Sequence, residues 1–349
     1  MQALIFDSVR KLRYTTVPDP EILAPTDVIV RVRVAAVCGS DLHVYRGLET
    51  GLDAGTVMGH ELVGEVVAAG AGVDRFRPGD LIVSPFTTSC GSCFYCRTGL
   101  TARCVSGQLF GWVEQGRGLH GVQAELVRVP LADSTLVRVP DGTPPELALF
   151  AGDVLATGWF GAESAAVAPG GTVAVVGCGP VGLMAVIAAR ELGAERIFAL
   201  DEVPERLALA VKYGADPVDV RNAAIAGDRI REATQGRGAD SVVEAVGSPR
   251  ATRLAFDLVR PGGTLAALGV HTEPHLAFAP GEAYDKNITY RAGRAPARHY
   301  LERLLPLIQS GKYDLGALIS HRLPLAEGAR GYDLFDKRLE GCTKVMLLP

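Results

Sequence analysis

Residues 172–201 read TVAVVGCGPVGLMAVIAARELGAERIFALD, and this stretch decides the fold. It opens with a short apolar run that suits a strand buried on both faces. Residues 180–194 then show the apolar spacing of a helix, and residues 196–200 form a second apolar strand. A strand, a glycine turn, a helix and another strand together predict a βαβ unit in a parallel sheet.

The turn of this unit reads Gly-Cys-Gly-Pro-Val-Gly, a G-x-G-x-x-G pattern between a predicted strand and a predicted helix. Glycines at such a turn let the backbone approach a pyrophosphate, and the start of the helix offers it unpaired N–H groups. The candidate cofactor-binding residues of the turn are Gly177, Gly179, Pro180, Val181 and Gly182.

Asp201 ends the second strand, 19 residues after Gly182. A carboxylate at this position accepts hydrogen bonds from the adenosine ribose and repels a 2′-phosphate, so the sequence predicts NAD rather than NADP. Arg206 weakens this preference, because a nearby arginine can accept a 2′-phosphate. The alternative interpretation is a tight turn without a ligand, in which Asp201 caps the strand.

Outward from this unit, strands and helices alternate as far as about residue 285, whereas the first 150 residues are β-rich. The C-terminal segment ends in the strand-like run CTKVMLLP. The sequence therefore predicts an α/β protein with two domains. A doubly wound parallel sheet of residues 154–288 is inserted into a β-rich domain of residues 1–153 and 289–349.

The composition is that of an ordinary globular protein. The chain has 349 residues, 48% of them apolar and 21% charged, and a net charge of -4. It shows no basic stripe of the kind that binds nucleic acid. Residues 172–189 are uncharged, but the glycines and the proline in their middle favour a strand, turn and helix over a membrane span. Since the first residues also lack a signal-peptide pattern, we expect a cytoplasmic protein without nucleic-acid or membrane partners.

Four of the seven cysteines lie within one short loop. They are Cys90, Cys93, Cys96 and Cys104. Four sulfur ligands suit a closed tetrahedral zinc site with no position for substrate, which predicts a structural zinc. The alternative is a set of free surface cysteines, which would leave four exposed thiols open to oxidation.

A second group of potential ligands is dispersed along the sequence. Cys38 follows a predicted strand, His60 follows a glycine, and Asp153 lies in an otherwise uncharged run. A catalytic zinc usually has three protein ligands and one open position, and these three residues could supply the ligands. Each also has an ordinary interpretation: Cys38 as a core residue, His60 as a hydrogen-bonded histidine and Asp153 as a helix cap.

Taken together, these motifs resemble the zinc-containing alcohol dehydrogenases of the medium-chain dehydrogenase family over essentially the whole chain. The resemblance rests on the segments CGSDLH at 38–43 and GHE at 59–61, together with the four-cysteine loop and the glycine turn. It implies a GroES-like catalytic domain, a Rossmann domain and a homo-oligomer, either a dimer or a tetramer.

The resemblance also implies roles for single residues near the metal. It makes Cys38 and His60 ligands of the catalytic zinc, and Glu61 a nearby carboxylate that can approach the metal. Asp41 would contact the zinc-binding histidine. Ser40 would pass on the proton of the substrate.

His43 would continue this proton relay. Asp153 would be the third ligand, and Thr157, four residues later, joins the catalytic candidates. An aspartate ligand resembles the branch of bacterial secondary-alcohol dehydrogenases and glutathione-independent formaldehyde dehydrogenases. The chain lacks the longer form of the enzymes that dismutate formaldehyde, so we do not assign formaldehyde as substrate.

We therefore expect an enzyme with two zinc ions per chain that transfers a hydride between NAD and a small primary or secondary alcohol, giving the aldehyde or ketone. One rival is a zinc-free quinone or enoyl reductase on the same fold, which would lack the pair Cys38 and His60. The other is a non-catalytic NAD-binding protein, which would have no need of Ser40.

Overall fold

The computed structural model of the protein describes residues 1–221 and 223–349. Its strands are β1 (Gln2–Ser8), β2 (Lys11–Thr16), β3 (Val28–Val37), β4 (Leu62–Ala69), β5 (Leu81–Ser84), β6 (Trp112–Glu114), β7 (Arg117–Leu119), β8 (Leu126–Val129), β9 (Val137–Arg138), β10 (Thr172–Val176), β11 (Arg196–Asp201), β12 (Asp216–Asp219), β13 (Ala239–Glu244), β14 (Val259–Ala267), β15 (Thr289–Ala292), β16 (His321–Pro324) and β17 (Val345–Leu348).

Its helices are α1 (Asp41–Tyr45), α2 (Phe94–Arg97), α3 (Ala132–Thr135), α4 (Pro145–Gly152), α5 (Val154–Ser164), α6 (Pro180–Glu191), α7 (Pro204–Lys212), α8 (Ala223–Ala233), α9 (Pro249–Leu258), α10 (Pro280–Lys286), α11 (Ala297–Gln309) and α12 (Gly328–Lys337). Short 3-10 turns occur at Thr101–Arg103, Leu315–Leu318, Leu325–Glu327 and Leu339–Gly341. None of the described helices is both long enough and apolar enough to cross a membrane.

One compact unit comprises Met1–Ala156 and Pro296–Pro349. Its main sheet has the strand order β16-β17-β3-β4-β5-β9, and β8 also pairs with β3. Strand β17 comes from the end of the chain and pairs with β3, with Val345 opposite Val37. The last residues of the sequence are therefore part of the sheet that carries the segment leading to Cys38. This unit is the β-rich domain that the sequence predicts.

The second compact unit comprises Thr157–Ala295. Its six strands have the order β12-β11-β10-β13-β14-β15, and every adjacent pair is parallel. Strand β10 lies in the middle, and four of its five residues are buried because helices cover both faces of the sheet. The order reverses beside β10, which is the arrangement of a Rossmann sheet. The predicted βαβ unit is therefore β10, α6 and β11.

The boundary between the units differs from the predicted one at its second crossing. The sequence placed residues 289–349 together in the β-rich domain. In the structure, Thr289–Ala292 forms β15 and pairs in parallel with β14 of the Rossmann sheet. The chain returns to the first unit only at Pro296. A short strand with alternating polar residues fits either sheet by its own pattern, so only its pairing partner decides its domain.

The glycine turn after β10 depends on one unusual backbone conformation and one close approach. Gly177 has φ +92°, a conformation that residues with a side chain rarely adopt. A Cβ at Gly182 would lie 1.7 Å from the carbonyl oxygen of Gly177. This contact lets the first turn of α6 lie directly against the end of β10. The third glycine of the motif is thus a packing requirement of the turn itself.

We expect Gly182→Ala to destabilise the protein by roughly 1–3 kcal/mol, because the added methyl group must push the turn away from α6. A matched control is Gly281→Ala in α10, where a Cβ would meet no atom within 4 Å. The control should be neutral or stabilising by up to about 1 kcal/mol. Urea unfolding of both variants measures the difference. Equal free energies of unfolding would contradict the close packing inferred for Gly182.

Candidate functional site

The main candidate site lies in the first unit, where β3 ends and β4 begins. Ala35 pairs with Leu62 in the antiparallel ladder, so the residue after β3 and the residues before β4 lie at the same end of the sheet. This pairing brings Cys38 close to His60. Asp153 joins them from the break between α4 and α5, where its backbone (φ -143°, ψ -82°) leaves the helical region.

The side-chain atoms of these residues converge on one point. The Oδ2 atom of Asp153 lies 3.3 Å from Sγ of Cys38 and 3.1 Å from Nε2 of His60. One ligand atom each from these three residues and from Glu61 all lie within 4.8 Å of one another, and all four residues are buried. Ligands of a tetrahedral zinc are separated by roughly 3.3–3.8 Å, given bond lengths of about 2.0–2.3 Å. The cluster therefore fits a zinc ion.

The charges of the cluster lead to the same conclusion. Burial and the neighbouring Asp153 raise the pKa of the Cys38 thiol to about 11. Burial alone would lower the pKa of His60, but Asp41 and the hydrogen bond to Asp153 outweigh it and raise that pKa. The raised pKa of His60 shows that the neighbouring carboxylates favour a positive charge here, whereas burial is the main cause of the raised pKa of Cys38. A divalent cation supplies that charge and allows the thiolate to form.

Asp41 orients the imidazole ring within the cluster. Its Oδ1 atom lies 3.1 Å from Nδ1 of His60, and its Oδ2 atom accepts a hydrogen bond of 2.9 Å from the backbone N–H of Cys38. A carboxylate on one ring nitrogen fixes the tautomer and leaves the other nitrogen free to bind a metal. Nε2 of His60 therefore faces Cys38 and Asp153.

Ser40 and His43 lie on the segment that follows Cys38. The hydroxyl of Ser40 is 3.4 Å from Nε2 of His60, so it stands beside the metal-binding face of the ring. His43 lies on α1 with its Nδ1 atom buried and without a hydrogen-bond partner among the described residues. Burial lowers the pKa of His43, which favours its neutral form. Thr157 lies on α5 in the other compact unit.

The four cysteines of the loop also converge, again with their sulfur atoms within 4.8 Å of one another. The backbone N–H of Cys90 donates to Sγ of Cys104 at 3.1 Å, and that of Cys93 donates to Sγ of Cys90 at 3.4 Å. Burial raises the pKa of Cys90, but hydrogen bonds from the backbone of Ser92 and Cys93 outweigh it and lower the pKa to about 6. Backbone N–H donors thus stabilise the thiolate of Cys90, whereas burial raises the pKa of Cys96 and Cys104, whose thiolates would need a metal ion.

The nucleotide candidates lie in the Rossmann unit. Pro180 and Val181 open α6, and no side chain caps the helix at Gly179, which leaves its first N–H groups available to an anion. Asp201 accepts backbone hydrogen bonds from Cys178 at 2.7 Å and from the two residues that follow it. Its carboxylate therefore shapes the turn in addition to any contact with a ribose.

Arg206 lies next to this turn, a contact that the sequence alone did not reveal. Its Nη1 atom is 3.8 Å from Oδ2 of Asp201, and 3.9 Å from the point where a Cβ on Gly179 would lie. The Nε atom of Arg206 is buried without a hydrogen-bond partner among the described residues. The guanidinium is thus held against the turn with unused donor capacity.

Two buried ionisable residues, Lys344 and Glu244, were not predicted from the sequence. Lys344 has a fully buried side chain and pairs with Glu61 beside the metal cluster. Burial lowers its pKa, but Glu61 and Cys38 outweigh it and raise the pKa, so the amine stays charged. Glu244 ends β13 and accepts hydrogen bonds of 2.8 Å from the N–H groups of Val246 and Gly247. The sequence signal that could have identified them is a charged residue next to or within an apolar run. Lys344 opens the run KVMLL, and Glu244 lies within SVVEAV.

Comparisons with known proteins agree with both units. Residues 24–141 match the family described as alcohol dehydrogenase GroES-like domain. Residues 180–310 match the family described as zinc-binding dehydrogenase. Zinc-type alcohol dehydrogenase B of Aspergillus flavus is 41% identical to this chain over 343 residues, which cover 96% of the chain and 79% of that protein.

Solved structures extend the similarity to the fold. Alcohol dehydrogenase TADH from Thermus sp. ATN1 is 40% identical and has a TM-score of 0.92, with 100% of this chain and 99% of that chain covered. A zinc-binding dehydrogenase from Sinorhizobium meliloti, bound to NADP, is 26% identical and has a TM-score of 0.82, with coverage of 100% and 99%.

We expect about two zinc ions per chain, one at each cluster, because each offers the ligand set of one zinc site. Cys93→Ser should lose one zinc and lower the melting temperature, since it removes one of four ligands. Ser92→Ala in the same loop keeps all four thiolates and serves as the control. Elemental analysis and thermal unfolding measure both effects. A Cys93→Ser protein with unchanged zinc content and unchanged melting temperature would contradict the assignment of Cys93 as a zinc ligand.

Proposed function

The chain belongs to the zinc-containing alcohol dehydrogenases of the medium-chain dehydrogenase family, and from that membership we propose its substrates and the roles of its residues. The enzyme transfers a hydride between a small primary or secondary alcohol and NAD, giving the aldehyde or ketone. The observation that carries this proposal is the buried convergence of Cys38, His60 and Asp153 with the hydroxyl of Ser40 beside them.

Cys38, His60 and Asp153 would hold the catalytic zinc and leave one position open. Bound there, zinc supplies a Lewis acid for the oxygen of the substrate. Asp41 keeps the ring of His60 in the orientation that binding requires. The second zinc belongs to the four-cysteine loop, where a closed set of thiolates would stabilise the fold without taking part in the reaction.

Ser40 would accept the proton that the alcohol loses during oxidation. Its hydroxyl lies 3.4 Å from Nε2 of His60, so it would be close to a substrate oxygen held by a metal that Cys38, His60 and Asp153 bind. His43 would pass the proton on, since burial favours its neutral form and leaves Nδ1 free to accept a hydrogen bond. Thr157 remains a catalytic candidate, proposed from its position four residues after Asp153.

The nicotinamide cofactor would bind at the turn before α6, with its pyrophosphate at the uncapped helix start. Asp201 would accept hydrogen bonds from the adenosine ribose, which favours NAD over NADP. Arg206, held near Asp201, would offer a partial site for a 2′-phosphate once the carboxylate is removed.

The aspartate ligand favours the branch of secondary-alcohol and formaldehyde-dehydrogenase-like enzymes, and we propose small alcohols as substrates on that ground. The rival assignment is a zinc-free quinone or enoyl reductase on the same fold, which needs neither a buried thiol nor a buried imidazole at this position. We also propose that the enzyme is a cytoplasmic homo-oligomer.

We predict that the enzyme reduces NAD in the presence of small alcohols and that Ser40→Ala lowers turnover by about 100-fold, within the range for positioned proton transfer. Ser40→Thr keeps the hydroxyl and should lose much less. His43→Gln should have an intermediate effect, because solvent can replace a distal member of the relay. Single-turnover absorbance of NADH measures these rates.

Zinc content and NADH affinity of the three variants serve as controls, because the relay should leave both unchanged. A Ser40→Ala enzyme with the wild-type single-turnover rate would rule out the relay. A wild-type protein that oxidises no alcohol across a panel with both cofactors, yet reduces quinones or enones, would favour the rival reductase.

We predict that Asp201→Gly shifts the ratio of the NADH and NADPH dissociation constants towards NADPH by roughly 30-fold, or about 2 kcal/mol, the contribution of one charge-assisted contact. The ratio is the useful quantity, because Asp201 also holds the backbone of the turn and its loss should weaken both cofactors. Asp201→Asn is the control that keeps an acceptor oxygen and removes only the charge. A wild-type enzyme that already prefers NADPH would refute the assignment.

A further inference from the structure

Lys344 places a positive charge in the interior of the first unit. Its side chain is fully buried, and its ammonium group donates to the backbone oxygen of Val37 at 3.2 Å and to Oε1 of Glu61. Burying an ammonium group is unfavourable unless a partner balances its charge. Lys344 therefore contacts both segments that carry metal-ligand candidates, because Val37 precedes Cys38 and Glu61 follows His60.

Glu61 is the partner of Lys344 and also lies within the metal cluster. One of its carboxylate oxygens accepts from Lys344, and Oε2 is buried without a hydrogen-bond partner among the described residues. A ligand atom of Glu61 lies within 4.8 Å of those of Cys38, His60 and Asp153. A small shift of the carboxylate would therefore add a fourth protein ligand to a site that needs an open position.

The ionisable groups around the metal cluster show what the positive charge of Lys344 contributes. Cys38, Asp153, Asp41 and Glu61 bring one thiol and three carboxyl groups into one buried volume, and a bound metal would convert the thiol to a thiolate. A zinc ion supplies two positive charges, and Lys344 supplies a third. Without the lysine, Glu61 would be a buried carboxylate whose nearest strong cation is the metal, and attraction in a medium of low polarity would draw it there.

We propose that Lys344 is a positioning residue that holds Glu61 off the catalytic metal and so keeps the substrate position open. This inference rests on the proposed function, because it takes the cluster to bind a catalytic zinc. It assigns a role in the reaction to Lys344, the residue that directly precedes β17, as a positioning residue that acts through Glu61. Removal of the lysine should close the metal site while leaving all three ligands present.

The test uses the full-length enzyme with cobalt in place of the catalytic zinc, since cobalt reports its coordination by its visible absorption. Imidazole is the probe of the open position, and its dissociation constant is read from the cobalt spectrum. In Lys344→Met the cobalt spectrum should change before any probe is added, and imidazole should bind 10- to 100-fold more weakly, the usual effect of losing a partner outside the ligand set. Lys344→Arg keeps the charge and should resemble the wild type.

The double variant Lys344→Met/Glu61→Gln separates positioning from simple structural support. Without the carboxylate there is nothing to close the site, so imidazole affinity should return to the wild-type value. Comparison of this double variant with the wild type gives a test that holds even if Lys344→Met fails to fold, because the double variant buries neither an unpaired ammonium nor an unpaired carboxylate. The two should bind imidazole equally, and a weaker affinity in the double variant would overturn the proposal.

A lowered melting temperature of Lys344→Met with an unchanged cobalt spectrum and unchanged imidazole affinity would also overturn it, since the lysine would then serve stability alone. Failure of the proposed function gives a different result. A wild-type protein that oxidises no alcohol, but whose cobalt spectrum still changes in Lys344→Met, would refute the alcohol oxidation and support the role of Lys344.

Discussion

Negative charge buried around His60 is the constraint on which the candidate active site depends. A thiol and three carboxyl groups cannot share a small buried volume unless positive charge and hydrogen bonds compensate them. The structure compensates them with Lys344 and with backbone donors such as the N–H of Cys38. A divalent cation would balance the remaining negative charge, and its binding would then be linked to the folding of this region.

The support of this cluster extends beyond the residues that would touch a metal. Tyr332, fully buried on α12, donates to Gln123 at 3.1 Å, and Gln123 donates to the backbone of Ala36 at 3.0 Å. Burial and the nearby Asp41 raise the pKa of Tyr332, so its hydroxyl stays protonated and can donate. The C-terminal segment thus contributes two buried polar residues, Tyr332 and Lys344, to a site whose ligands all come from the first half of the chain.

In the Rossmann unit, one carboxylate has a structural role in addition to the binding role proposed for it. Asp201 accepts three backbone hydrogen bonds that hold the glycine turn next to the end of β11. The same side chain is the one proposed to recognise the ribose. A residue with both roles cannot be replaced to alter cofactor preference without loosening the turn, which is why the two cofactors must be compared as a ratio. Arg206, already near the turn, makes that preference a balance of opposite charges.

The sequence by itself determined the features that depend on local spacing. The βαβ unit follows from the apolar period of residues 172–201, the glycine turn from its three glycines, and the cysteine loop from four thiols in one short segment. Such patterns are readable because neighbours in the chain are neighbours in space. The resemblance to a family added roles for Ser40 and His43 that spacing alone left open.

Tertiary structure decided which distant residues meet. The register of β3 against β4 brings Cys38 to His60, and the pairing of β17 with β3 brings Lys344 to Glu61. Strand pairing also assigned β15 to the Rossmann sheet. A sequence pattern states that a strand has a buried face, but it does not state its partner or register. The role of the buried charge of Lys344 can be recognised only once that register is known, because its partner Glu61 lies far away in the chain.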